Sequence, residues 1–245
     1  MGEAVRRFNI LAFAGFFALV SLAVVSPASA QAGHFEILLN GKQIGTADCS
    51  FAAVAEGYNT TSVVHVVMQG LDYSLSKTEQ LSSANELEHA LLNAVVNGQA
   101  VTIIAGPASG QLVLDISANG RKTTSRLPAH AATAMLPDFD PGALETLLAL
   151  AVEHNNRDLW VIIPKKEGSV EPVQLATYAD QQGTLDGNAV AVHHLVATTA
   201  GAKIDLFSGP ENRLVQAEFS QQGFAFIRKG FVLNPSPQAA APPAS

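Results

Sequence analysis

The sequence contains one cysteine, Cys49, in 245 residues. A single thiol cannot form an intrachain disulfide, which excludes a fold held together by such bonds. Cys49 lies in the strand-like run GTADCSF, where a small buried hydrophobic side chain is a commoner role than a reactive thiol. We therefore predict that Cys49 packs in the core.

Charged residues are also scarce, at 14% of the chain compared with roughly 25% in an average soluble protein. The formal net charge of −7 provides no broad positive field to attract nucleic acid or anionic lipid headgroups, so we expect no nucleic-acid partner. Hydrophobic residues make up 48% of the chain, enough for a substantial core, and all-β chains of this length are often single domains.

The common motifs of enzymes and cofactor sites are missing from the sequence. It has no G-x-S-x-G elbow, Walker loop, Rossmann fingerprint, H-E-x-x-H or C-x-x-C pair. We therefore assign no catalytic, cofactor-binding or metal-binding residue and expect no cofactor. The sequence favours a non-catalytic protein, although an enzyme with an unrecognised site stays open.

The N-terminus has the three parts of a secretory signal peptide. Arg6 and Arg7 form a basic start, Ile10–Val25 is almost entirely apolar, and the sequence PASA ends in an A-x-A pattern at Ala30. We predict a signal peptide over residues 1–30, cleavage after Ala30, and a periplasmic or secreted protein that is not integral to the membrane. A retained membrane anchor and twin-arginine export are the alternatives.

Residues 31–234 mostly show the period-2 alternation of β-strands joined by tight turns. Asn97-Gly98, Asn119-Gly120 and Asp186-Gly187 are hairpin signals, and about eight strands precede residue 130. In one strand Tyr73, Leu75 and Lys77 share a face. No βαβ spacing appears in these first strands, which argues against a doubly wound α/β enzyme fold. We predict a single antiparallel β domain with one helix over 31–234.

The segment ANELEHALLNAVV is ambiguous between helix and strand. Leu87, Leu91 and Val95 are four residues apart, as on a helix, but apolar and polar residues also alternate along it. The Asn97-Gly98 turn follows directly, so we predict a strand.

One segment has clear helical signals. Asp140 is a suitable N-cap, Pro141 suits the first helical position, and Glu145 lies near the start. Apolar residues then follow at i, i+3, i+4 and i+7: Leu144, Leu147, Leu148 and Ala151. We predict an amphipathic helix over about Pro141–Glu153 that lies on or plugs a curved sheet.

After this helix, strand patterns resume and are clearest over Gly183–Val232. The sequence PSPQAAAPPAS then has nothing to bury, so residues 235–245 are predicted to form a disordered Pro/Ala-rich tail. The predicted fold is mostly β: a curved antiparallel sheet, or an open or partly closed β-barrel, of many short strands with one helix.

Adjacent histidines suggest metal binding, but strand geometry argues against it. Neighbouring side chains in a strand point to opposite faces, so His193 and His194 cannot bind one ion together. One of them could join His65 or His89 from another strand. The simpler interpretation is one half-buried and one exposed histidine.

Three sets of carboxylates were weighed as site residues. Asp138 and Asp140 form a D-x-D pattern that suits a hard cation, although a helix cap accounts for Asp140. Glu86 and Glu88 are predicted to share one strand face, where solvation is the simpler explanation. An enzyme would require these residues, the histidines and Asp115 to converge in one pocket.

The region from about Leu159 to Lys229 resembles the closing strands of uncharacterised bacterial secreted β-proteins. The residues that carry the resemblance are Asp205, Leu206, Phe207, Pro210, Asn212, Arg213, Leu214, Glu218 and Phe219. The preceding GTLDGNAVAVHHLVAT resembles a hairpin of the same families. The resemblance implies a spiral or half-barrel antiparallel sheet without assigned chemistry; some similar folds carry lipids or lipoproteins in the cell envelope.

These observations favour an exported, non-catalytic protein that binds an apolar small molecule, a lipid or an envelope component in a β-sheet cavity. The place expected for such a cavity is between the helix and the sheet. The alternatives are an envelope structural or interaction protein with a protein partner and, less favoured, a hydrolase with an unrecognised site.

Overall fold

A computed structural model describes residues 31–165 and 168–235. The predicted signal peptide and, apart from Pro235, the predicted tail lie outside the described residues. Within the described residues, no helix has both the length and the apolar character needed to span a membrane.

The first half of the domain is a meander in which each strand pairs antiparallel with the next. Its strands are β1 (Gln31–Leu39), β2 (Lys42–Val54), β3 (Gly57–Met68), β4 (Leu71–Ser82), β5 (Leu87–Val96), β6 (Gln99–Ala108), β7 (Gln111–Ala118) and β8 (Arg121–Pro128). The prediction of about eight strands is confirmed. Asn97 and Asn119 have positive φ in their turns, as type I′ hairpins require.

The ambiguous segment is strand β5, as predicted. A bulge where Gln80 of β4 meets β5 sets its register, and Ala90, Leu92 and Ala94 then point into the core. Leu91 is only half-buried and Val95 is exposed, so the four-residue spacing that suggested a helix marks no buried stripe.

A short strand, a helix and another strand then form a parallel crossover. β9 (Thr133–Met135) precedes helix α1 (Pro141–Glu153), and β10 (Leu159–Ile163) pairs parallel with β9. The antiparallel domain predicted from the sequence is therefore mixed at this pair, which is parallel. The three residues of β9 are all buried and too few to show alternation, so the sequence pattern did not show the strand.

The later strands are antiparallel again, and the predicted strands of Gly183–Val232 are confirmed. They are β11 (Ser169–Thr177), β12 (Gln181–Leu185), β13 (Asn188–Thr199), β14 (Ala202–Ser208), β15 (Leu214–Phe219), β16 (Phe224–Arg228) and β17 (Phe231–Leu233), with a 3-10 turn at Pro210–Asn212 between β14 and β15.

The two halves join where β16 pairs with β1, opposite Phe35 to Leu39. The resulting 17-stranded sheet is curved and mixed, and it does not close, because among the described residues β8 at one end has no pairing with β9 at the other. The hairpin of β12 and β17 branches from β13. The predicted mostly β, partly closed architecture with one helix is confirmed.

Helix α1 fills the interior of the curved sheet. Ten of its thirteen residues are buried, and it contacts β2, β3, β9, β10 and β15. The predicted bounds and the N-cap are confirmed, since Asp140 Oδ1 accepts a hydrogen bond from the Gly142 N–H at 2.9 Å. The helix plugs the sheet, which is one of the two predicted positions. The prediction that it is amphipathic is wrong, because strands surround it and bury Glu145 and Thr146 as well as the leucine stripe.

Candidate ligand-binding site

A cavity of about 510 Å³ opens at the end of the curved sheet where α1 begins. The loop from Leu136 to Asp140 forms one side, and the end of β10 with the turns β3–β4, β13–β14 and β15–β16 forms the rest. Its lining is mainly apolar and includes Met68, Leu71, Leu136, Phe139, Ile163, Ile204, Phe219, Phe224 and Phe226. The polar lining residues are Asp138, Asp140, Lys165, Thr199 and Gln222. The cavity thus lies at the N-terminal end of the helix and not along its side, because the helix side is already packed.

Phe139 occupies a special backbone position at this cavity. Its φ is +58°, in the left-handed region that costs a non-glycine residue on the order of 1–3 kcal/mol. Its ring centroid lies 5.6 Å from that of Tyr73 and 5.2 Å from that of Phe224, both edge-to-face. Aromatic packing and the helix cap that follows hold the loop in this conformation.

A few polar groups border the apolar lining. Lys165 Nζ and Asp138 Oδ1 form an exposed ion pair at 2.9 Å. The hydroxyl of Thr199, a residue only 6% exposed, has no hydrogen-bond partner among the described residues. Buried hydroxyls normally have partners, so this unpaired hydroxyl is an exception within the cavity wall.

Three charged side chains meet in the interior behind this cavity. Lys77 Nζ lies 2.8 Å from Asp140 Oδ2 and 3.2 Å from Glu79 Oε2, and the Lys77 and Glu79 side chains are fully buried. Thr60 Oγ1 donates to Glu79 Oε2 at 2.7 Å. Burial alone would lower the pKa of Lys77, but the carboxylates of Asp140 and Glu79 outweigh it and raise the pKa. We call Lys77, Glu79 and Asp140 the lysine cluster.

A second buried ion pair joins the helix to the start of β15. Arg213 binds Glu145 through two hydrogen bonds, Nε to Oε1 at 3.2 Å and Nη2 to Oε2 at 2.8 Å, and Arg228 Nη1 lies 3.8 Å from Oε1. The thiol of Cys49 donates to Glu145 Oε2 at 3.5 Å. Burial and then the Glu145 charge raise the pKa of Cys49, which makes it the inert core thiol predicted. A smaller, more polar cavity of about 230 Å³ borders this pair.

The histidines considered as metal ligands lie apart and pair with different carboxylates. His193 contacts Asp180 at 3.0 Å and is exposed, whereas His194 is half-buried, 2.9 Å from Asp205. These placements match the simpler interpretation. His65 and His89 are exposed on other strands. Over 31–165 and 168–235, no group of three or more His, Cys, Asp or Glu could hold a metal ion.

The carboxylates singled out from the sequence also do not converge. Glu86 precedes β5 while Glu88 lies within it, so the predicted shared strand face is wrong; the bulge after Gln80 delays the start of the strand. Asp115 accepts a hydrogen bond from exposed Thr124 at 2.6 Å. Asp138 is exposed and Asp140 buried, so the D-x-D pair faces two environments.

The sequence patterns did not predict that Glu79, Glu145 and Arg213 belong to buried charge clusters. One signal for Glu79 was present, because alternation from Tyr73 through Leu75 and Lys77 places Glu79 on the same inward face. Two charges on a core face indicate a buried partner. Glu145 is explained by its ion pair with Arg213 and not by the helix dipole.

No protein family model matches the chain, and no curated protein matches it. One solved structure is similar: a β-barrel-like protein of domain of unknown function DUF1849 from Brucella abortus. The TM-score is 0.55 at 10% identity, over 84% of this chain and 98% of that one. The fold is β-barrel-like.

This likeness confirms, at the level of fold, the predicted resemblance to uncharacterised bacterial β-proteins. It also extends that resemblance beyond Leu159–Lys229 to most of the chain. At this identity it carries no information on ligands or residue roles.

Proposed function

We propose that this chain is an exported, non-catalytic binding protein that holds an apolar ligand in the cavity at the N-terminal end of α1. The observation that carries the proposal is the cavity of about 510 Å³ with four phenylalanines in its wall. Small-molecule sites typically have volumes of about 300–1,000 Å³ and mostly apolar walls with a few polar groups. This cavity meets both criteria.

The cavity volume limits the size of the ligand. A methylene group is about as large as a water molecule, which takes roughly 30 Å³ in the liquid. A cavity of about 510 Å³ therefore holds at most about 17 such groups. One acyl chain or a comparable apolar molecule fits, whereas a lipid with two long chains does not fit entirely inside.

The polar groups suggest that the ligand also carries a polar end. The exposed Lys165–Asp138 ion pair supplies charges where the cavity meets solvent. A single-chain amphiphile would place its chain among the phenylalanines and its head group toward this pair. Each buried methylene contributes about 0.8 kcal/mol, so the chain supplies most of the affinity.

Ligand binding is tested with the full chain purified without detergent. We expect solvent extraction and mass spectrometry to recover an apolar molecule, and a long-chain fluorescent fatty acid to bind the emptied protein. Ala202→Trp places a large ring in the cavity and should abolish binding, whereas Ala100→Trp, at an exposed position of β6, should not. The proposal fails if solvent extraction recovers no apolar molecule from the wild-type protein and the emptied protein does not bind the fluorescent fatty acid.

Export is tested separately in the bacterial host. We expect the mature protein to begin at Gln31 and to appear in the periplasmic or extracellular fraction. A full-length N-terminus in the cytoplasmic fraction would contradict this part of the proposal without affecting ligand binding.

A structural or interaction role is the second candidate, but the β8 edge of the sheet disfavours pairing with a partner. Strand β8 ends the sheet and carries Arg121, Lys122, Arg126 and Pro128. Charges and proline on an edge strand are features that discourage pairing with another chain.

A further inference from the structure

The lysine cluster has the geometry of a buried acyl-transfer site. Lys77 Nζ lies 2.8 Å from Asp140 Oδ2, so the carboxyl carbon of Asp140 is one carbon–oxygen bond further away. The Lys77 and Asp140 side chains are fully buried, held by β4 and by the first turn of α1 respectively. A nucleophile and a carbonyl carbon held this closely react with effective molarities of about 10⁵–10⁸ M.

The carboxyl group of Asp140 is polarised on one side only. Its Oδ1 accepts the N–H of Gly142 at the start of α1, while Oδ2 faces Lys77. A backbone N–H at a helix N-terminus stabilises negative charge, as donors in an oxyanion hole do. Charge that develops on Oδ1 during attack at the carbon is therefore stabilised in place.

Glu79 completes the arrangement as a proton acceptor. Its Oε2 lies 3.2 Å from Lys77 Nζ and is fixed by the hydroxyls of Thr60 and Thr146. Its other oxygen, Oε1, is buried and has no hydrogen-bond partner among the described residues. An unpartnered carboxylate oxygen beside a buried ammonium group is a position that can receive a proton.

We propose that Lys77 and Asp140 form an intramolecular amide bond between β4 and the N-cap of α1. Glu79 takes one proton from the Lys77 ammonium group and passes it to Oδ2 of Asp140, and the neutral amine then attacks the carbon of the protonated carboxyl group. The new C–N bond forms and the C–Oδ2 bond breaks. Oδ2 leaves as water with the proton carried by Glu79 and the second proton lost from Nζ. The net reaction joins an ammonium and a carboxylate into an amide and one water, with no oxidant or other reactant.

The product exchanges the Lys77–Asp140 ion pair for a neutral amide, which removes the desolvation cost of those two charges. The Glu79 carboxylate stays buried and keeps the hydrogen bonds from Thr60 and Thr146. Asp140 also lines the apolar cavity, which gives the released water an exit. The neighbouring carboxylates keep Lys77 protonated in the unreacted protein. Because an ammonium nitrogen has no free electron pair, Lys77 must lose a proton to Glu79 before it can attack.

Tryptic mass spectrometry of the full, denatured wild-type chain tests the bond. Amidated Lys77 resists trypsin, so we expect peptide 43–121 linked to peptide 127–157, lighter than their sum by one water. Fragmentation should locate the link at Lys77 and Asp140. Separate peptides 43–77 and 127–157 at their full masses would overturn the proposal, and this readout depends on no variant.

Two variants distinguish the roles of the residues. Asp140→Ala removes the carboxyl group and should give only unlinked peptides. Glu79→Gln keeps the shape of the side chain, but its amide does not accept a proton, so this variant should be folded and largely unlinked. Folding of each is checked by its circular dichroism spectrum. If folded Glu79→Gln is linked as completely as the wild type, the assignment of the proton acceptor is wrong.

Discussion

The ion pair between Glu145 and Arg213 provides a sharp test of how the helix is held inside the sheet. The side chains are 4% and 13% exposed, and two hydrogen bonds join them. Removal of one partner from such a pair leaves an uncompensated buried charge and costs about 3–5 kcal/mol. We expect Arg213→Met to cost about 3 kcal/mol, the lower end of that range, because Arg228 stays near Glu145.

The assay is urea unfolding of the full chain followed by circular dichroism, with thermal melting as a second probe. A loss of about 3 kcal/mol should lower the Tm by about 6–12 °C in a domain of this size. Arg228→Met is the matched control. Arg228 approaches Glu145 only to 3.8 Å and is more exposed, and its other contact is a hydrogen bond to the exposed Ala32 carbonyl at 2.8 Å, so we expect a cost of about 1 kcal/mol, below that of Arg213→Met.

A double variant distinguishes charge from packing. Glu145→Leu combined with Arg213→Met removes both charges and should regain most of the stability, because hydrophobic replacements of a buried ion pair are often neutral. The reasoning is refuted if Arg213→Met costs less than about 1 kcal/mol, or if the double variant is as unstable as the single one.

Three further outcomes follow from the helix environment. Gly142→Ala should destabilise the fold by about 1–3 kcal/mol in urea unfolding, although alanine favours helices, because the added Cβ would lie 2.2 Å from Ser62 Oγ. Ser62→Gly should relieve that cost, and a neutral Gly142→Ala would contradict the close packing. Burial raises the pKa of Cys49, so the folded state keeps its thiol proton while the unfolded chain loses it above about pH 8.5. Stability should therefore fall from about pH 8.5 to about 10, less steeply in Cys49→Ala; equal slopes would count against this linkage. Thr60→Val removes a hydrogen bond to Glu79 and should cost about 1–3 kcal/mol by chemical unfolding, and an unchanged midpoint would show that the bond is not important.

Features that local sequence determines were predictable. The N-cap Asp140, the proline after it and the asparagine-glycine turns act over a few residues, so their patterns are visible in the chain. Strand β5 was recognised over a competing helical pattern because the Asn97-Gly98 turn fixes a hairpin at its end. The alternation also placed Lys77 on the same face as Tyr73 and Leu75, and the structure shows that this face points inward.

Features that depend on distant strands were not predictable. The partner of Lys77 is 63 positions away at Asp140, and the parallel pair β9–β10 forms only once α1 crosses the interior. The cavity depends on five separate chain segments and on the left-handed backbone of Phe139. A local sequence pattern does not show which distant segments meet in the fold. The helical pattern therefore indicated one exposed face, and the cavity was expected beside the helix.

The pairing of β1 with β16 has a consequence for the time course of folding. Phe35 meets Arg228 across this junction, so the first strand waits for nearly the whole domain before it gains its second neighbour. Contacts between residues so far apart in the chain slow folding, because a long loop must close before they form. The early meander can assemble hairpin by hairpin, but enclosure of α1 requires the last strands. A chain that emerges from its N-terminus onward therefore remains incompletely folded until its C-terminal strands are free.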